Sequence, residues 1–105
     1  MRPLFFAGLA FCLLSYTASA DRDDPTLELK KNQPRQVADL IGRIVGCNHW
    51  LGESPYDPDR AKEIRQAVSV LRCNELEKNE SAVLKKFRSD PKVKKALDMA
   101  KDIAL

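Results

Sequence analysis

Within eleven residues, Cys47 to Asp57, the chain places its single His, its single Trp and one of its three Cys. The stretch reads Cys47-Asn48-His49-Trp50-Leu51-Gly52-Glu53-Ser54-Pro55-Tyr56-Asp57. A Cys two residues from a His is the raw material of a thiolate nucleophile, because a neighbouring imidazolium lowers a thiol pKa. Oxidation to a disulfide removes that nucleophile, and Cys73 is available as a partner. A Ser-His-Asp set would have to draw its Ser from Ser54, Ser69, Ser81 or Ser89, and none of these stands in a G-x-S-x-G nucleophile elbow. A metal site would combine His49 with Glu53, Asp57 or Asp59, but the Asp57-x-Asp59 pair lacks the glycine and distal glutamate of a calcium loop. The expectation is therefore a protein that is not an enzyme, with no metal and no cofactor. What the stretch does offer is recognition, since Trp and Tyr carry much of the energy of protein interfaces. His49, Trp50, Glu53, Tyr56 and Asp57 form the expected partner-binding set. The competing reading has Trp50 covering a disulfide as a small second core.

The N-terminus decides the setting in which this chemistry operates. Arg2, an apolar run from Leu4 to Leu14 and the small residues Ala18-Ser19-Ala20 have the form of a secretory signal peptide over residues 1–20, cleaved near Ala20. The run is too short for a spanning helix, which needs about twenty apolar residues. Cys12 could suggest a lipid-modified cysteine, but Phe11 stands before it where a small residue is wanted. The expected product is an exported, soluble chain, periplasmic in a bacterium or secreted, whose two remaining cysteines, Cys47 and Cys73, pair. Their Cα atoms should then lie about 5 to 6 Å apart.

After residue 20 the chain carries 17 Lys and Arg, 18 less Arg2, against 15 Asp and Glu. A chain of this size buries only about 60% of its unfolded surface, so a covalent staple matters. Residues 21–33 are polar with Leu27 and Leu29 as the only aliphatic anchors, and read as a loosely ordered arm. Residues 34–105 read as an all-α, four-helix domain, because apolar residues recur at helical spacing and nowhere alternate. The first helix runs from Pro34 to Leu51 and stops at Gly52, with Val37, Leu40, Ile41, Ile44 and Val45 on one arc. Ala38, Gly42 and Gly46 form a small-residue strip beside that arc, suited to close helix packing or to a shallow groove for a partner. Asp57-Pro58 starts the second helix, which ends near Arg72 and should bury Ile64, Val68 and Leu71. Asn74 or Asn79 caps a shorter third helix with Val83, Leu84 and Phe87. Asp90-Pro91 starts the last, striped by Val93, Ala96, Leu97, Ala100 and Ile103.

Between Lys85 and Lys101 the chain is basic: Lys85, Lys86, Arg88, Lys92, Lys94, Lys95 and Lys101 stand against only Asp90 and Asp98. Such a face can steer an acidic partner or an anionic surface, or can simply be a solvated helix face. Phe87 is the one aromatic within it, too few to stack successive bases, which argues against nucleic acid. Asn79-Glu80-Ser81 matches a glycosylation sequon, a pattern common by chance. The composition and layout point to an exported helical protein that binds another protein, as inhibitor, immunity factor or assembly partner. The alternative is a stress or chaperone-like protein using the basic C-terminal helix on unfolded chains or an anionic membrane surface, a membrane contact being the less favoured. The partner's identity and the oligomeric state lie beyond sequence reasoning.

Overall fold

The computed structural model describes residues 24–103, so the expected signal peptide, residues 1–20, lies outside the described residues. All regular structure among the described residues is helical: α1 (Pro25–Lys30), α2 (Arg35–Leu51), α3 (Pro58–Val70), a 3-10 turn (Cys73–Glu75), α4 (Leu76–Lys86) and α5 (Pro91–Ala100). Three of these begin with the same device. Asp24, Asp57 and Asp90 each precede a proline at the first helical position, and each carboxylate accepts a backbone N–H of the first turn: Thr26 at 2.8 Å, Arg60 at 2.7 Å and Lys92 at 3.0 Å. The side chain satisfies an amide that has no intrahelical acceptor, and the proline lacks an N–H that would have been orphaned anyway.

The core is a seam between α2 and α5. Val37, Leu40, Ile41, Ile44 and Val45 of α2 pack against Val93, Ala96, Leu97 and Ala100 of α5, with Leu29, Leu76, Val83, Leu84, Phe87 and Ile103 closing the sides. The periodicity explains this directly, since residues at i, i+3, i+4 and i+7 share one helix face. Burying each large aliphatic side chain is worth about 1.5–3 kcal/mol, so the seam carries most of the hydrophobic stabilisation. Two polar side chains of α2 finish neighbouring helices. Asn48 Nδ2 donates to the carbonyls of Lys101 (3.0 Å) and Ile103 (3.1 Å) beyond the end of α5. Arg43 Nε donates to the Leu71 carbonyl (2.8 Å) and its Nη2 to that of Arg72 (3.1 Å) at the end of α3. Carbonyls left without intrahelical donors are thus met from a helix distant in sequence.

Four sequence expectations need revising. The segment read as a loose arm contains α1, which packs on α2 and α5. Pro34 is the N-cap of α2 and the helix begins at Arg35. The third helix is capped by neither Asn74 nor Asn79: Asn74 lies in the 3-10 turn, Asn79 lies inside α4, and Glu75 holds the N-cap position without a side-chain bond. The 3-10 turn supplies the entry, its Glu75 N–H donating to the Arg72 carbonyl (2.9 Å), after Arg72 reverses the chain in the left-handed region at φ 52°. Finally, α3 has no buried residue, and Ile64, Val68 and Leu71 are only half-buried. The stripe of α3 faces mainly α2 and the 3-10 turn, which leaves its side chains only partly covered.

The strip on α2 is filled from within. A methyl group on Gly46 would lie 3.0 Å from Leu71 Cδ1, and one on Gly42 would lie 3.1 Å from Lys30 Nζ. The strip therefore serves close approach, by the Leu71 side chain at one end and the Lys30 side chain at the other, and presents no open groove there.

Candidate functional site

The α2–α3 corner is built on a covalent anchor. Cys47 and Cys73 are joined with Cα atoms 5.7 Å apart across a sequence separation of 26, and Cys47 is 1% exposed. Neither sulfur is available as a thiolate. From Cys47 the last turn of α2 carries His49 and Trp50, whose rings meet edge to face at 5.2 Å between centroids. Gly52 then ends the helix, its N–H donating to the His49 carbonyl (3.2 Å), and the Glu53 N–H follows with the Trp50 carbonyl (3.3 Å). After Ser54 and Pro55, Tyr56 leads into the Asp57 cap of α3.

One residue that sequence reading missed organises the corner. The Arg60 guanidinium lies 5.1 Å from the Trp50 ring centroid, pairs with Glu53 through Nη2, and donates from Nη1 to Glu63 (3.1 Å). These carboxylates, Glu53 first and Glu63 second, push the Arg60 pKa further above its ordinary value, so its charge is permanent. An arginine over an indole face between two acids combines cation–π and ion-pair contacts in one clamp. Arg60 sits at the third position after the Asp57 cap, one helical turn before its own Glu63 partner. That i, i+3 spacing is the only trace of the clamp in the sequence.

The structure thus brings His49, Trp50, Glu53 and Asp57 into one connected unit. Asp57 is engaged as a cap through the Arg60 amide, Glu53 through the Arg60 side chain. Trp50 is half-buried beneath that side chain, which joins parts of both sequence readings: it packs against Arg60 while remaining outside the α2–α5 core. Tyr56 stands apart, 76% exposed, and Leu51, the last residue of α2, is 64% exposed.

The basic residues of the C-terminal third have a different arrangement. Lys94 pairs with Asp98 (2.8 Å) and Lys101 with Glu80 (2.6 Å) and Asp98 (3.6 Å). Lys86 donates to Gln36 (2.5 Å) and its ammonium lies 5.5 Å from the Phe87 ring centroid. Lys85, Arg88, Lys92 and Lys95 are exposed. The hydrogen bond from Lys94 holds the Asp98 carboxyl below its ordinary pKa, and Glu80 raises that of Lys101. Among the described residues no group of three or more His, Cys, Asp and Glu has the geometry to hold a metal ion, and no helix is long and apolar enough to cross a membrane. No family model matches the chain, and neither curated proteins nor solved structures include a significant match.

Proposed function

We propose that this chain is a non-enzymatic, disulfide-stapled binding protein of a bacterial envelope, which docks another protein on the α2–α3 corner as an inhibitor, immunity factor or assembly partner. The observation that carries the reading is the pairing of order with exposure. The connection is restrained by the Cys47–Cys73 bridge on one side, the Asp57 cap on the other and the Arg60 clamp on Trp50 between them. Yet Leu51 and Tyr56 remain 64% and 76% exposed. A preorganised connection loses little entropy on binding, and Trp, Tyr and Arg are the side chains most often found to dominate interface energies. The disulfide is compatible with an oxidising, exported location, which a signal peptide at residues 1–20 would provide.

Tyr56→Ala gives the cleanest test, because Tyr56 is exposed and its loss leaves the clamp intact. The oxidised protein and the Tyr56→Ala variant are used side by side to retain partners from an envelope extract, with thermal unfolding of each. The expected result is a loss of the retained partner at an unchanged unfolding temperature. Equal retention by both proteins would refute the corner as the docking surface.

A further inference from the structure

On different helices from that corner, a groove of about 210 Å³ runs between α1 and α5. Its apolar side is formed by Leu29 and Ala96, which belong to or pack on the core, and by Met99, which is 48% exposed. Lys31, Lys92 and Lys95 line it together with a single carboxylate, Glu28, which is already paired with Lys31 at 3.3 Å. Lys92, Lys95 and Met99 stand at i, i+3 and i+7, so one face of α5 presents two cations and a thioether together. A second shallow site lined by Pro91, Lys94, Lys95, Asp98 and Met99 continues the surface past Met99.

The lysines of α5 divide according to side. Lys94 and, at the C-cap, Lys101 have carboxylate partners in Asp98 and Glu80. At the groove, neither Lys92 nor Lys95 belongs to an ion pair among the described residues. Methionine is unbranched and adaptable, a side chain suited to receiving a variable apolar group.

We propose that the α1–α5 groove binds an acidic peptide segment of a partner protein. An aliphatic side chain of the segment lies on Leu29, Ala96 and Met99, and flanking carboxylates meet Lys92, Lys95 and Lys31. The apolar area of this shallow groove is small and suits one side chain, whereas an interfacial helix that lies in an anionic bilayer needs a broad apolar face. Met99 is the one exposed large apolar residue of α5, and Glu28 on the rim opposes an anionic sheet. The groove has no aromatic for base stacking, which separates it from a single-strand nucleic-acid site.

The test uses the oxidised full chain labelled with ¹³C at methionine methyl groups. The sequence has two methionines, and the Met99 signal is identified by its loss in Met99→Leu. The probes are a short glutamate-rich peptide with a central leucine pair, the same peptide with serines for leucines, a lysine-rich counterpart, and phosphatidylglycerol vesicles. The acidic leucine peptide is expected to shift the Met99 methyl saturably, the serine and lysine peptides to bind far more weakly. Reversing both charges with Lys92→Glu and Lys95→Glu should weaken binding about tenfold or more, since two exposed ion pairs are lost and each is replaced by a repulsion. Both lysines are exposed, so the fold should survive, and Lys92→Gln with Lys95→Gln provides a milder version with a smaller loss. Absence of a saturable shift, an undiminished shift in both double variants, or a response to vesicles without a response to the peptide would each overturn the proposal.

Discussion

Opening the Cys47–Cys73 bridge should cost this protein a large share of its stability and should release α3 first. The bridge spans a sequence separation of 26, and closing a loop of that length restricts the unfolded chain by about 3.5 kcal/mol on the chain-entropy estimate. Single domains have total stabilities of about 5–15 kcal/mol, so the loss is severe. It should also be uneven. No residue of α3 is buried, and its attachment to α2 rests on the bridge, on its half-buried stripe, on Leu71 over Gly46, on Arg60 over Trp50 and on the two hydrogen bonds from Arg43. The α2–α5 seam, by contrast, does not involve the sulfurs. Two measurements check this. Urea unfolding of the oxidised protein and of Cys47→Ala with Cys73→Ala should differ in midpoint by about 3.5 M, taking a slope of about 1 kcal/mol/M for a small domain. Hydrogen exchange should show α3 amides opening by a local route in the variant while α2 and α5 amides keep the global rate. Reducing the native protein separates loop closure from the loss of the buried Cys47 sulfur. A midpoint shift below a third of that expected, or α3 amides that exchange in step with those of α2 and α5, would refute the reasoning.

Two further outcomes follow from burial and charge. Leu97→Ala, at a fully buried position, should cost about 2–5 kcal/mol, while Ile64→Ala, half-buried on α3, should cost about 1 kcal/mol because its site is already partly in water; equal losses in urea unfolding would mean that the seam has been misplaced. The Asp98 carboxyl is held below its ordinary pKa of 3.8 by Lys94, so its contribution is present above that value and fades as pH falls through the lower folded value; Lys101, raised above 10.5 by Glu80, contributes below its ordinary value and fades as pH rises through the higher one. The difference in unfolding temperature between the native protein and Asp98→Asn should therefore be steady around neutrality and vanish in acid, and a difference that persists after Asp98 is protonated would assign it to packing instead.

The helices that were legible in the sequence are those with strong local signals. Asp57-Pro58 and Asp90-Pro91 mark α3 and α5 because capping is settled within one turn, and the arc of α2 is visible because its apolar residues repeat over most of the helix. The cysteine pairing follows from having two candidates once Cys12 is set aside with the expected signal peptide. What was not legible depends on contacts between distant segments. Helix α1 is six residues long and too short for a periodic pattern to stand out; its existence rests on the Asp24 cap and on packing against α2 and α5. Periodicity correctly marks the side of α3 that faces the protein, but it carries no information about how many layers cover that side. The carbonyls to which Arg43 and Asn48 donate lie 28 to 55 residues away, beyond any local pattern. Arg60 was overlooked because a lone arginine in a capped first turn looks like any solvated cation. Its role appears only when the connection folds back and sets Trp50 beneath it.

This division has a consequence for how the molecule can bind. Helix α2 serves two independent structures, the apolar seam along most of its length and the corner at its last turn. From His49 to Asp57 no residue is buried, so the corner contributes little to the seam and the seam does not dictate the corner's side chains. In most small domains, such independence would leave a connection mobile and costly to order on binding. Here the order comes from elements outside the core: a disulfide at one end, a capped helix at the other and an arginine lying over the tryptophan. Each of them restrains the backbone or Trp50 without covering Leu51 or Tyr56. The side chains that a partner would meet can therefore change in kind while the restraints that hold them stay in place, which is the arrangement expected of a scaffold that presents a recognition surface apart from the packing that keeps it folded.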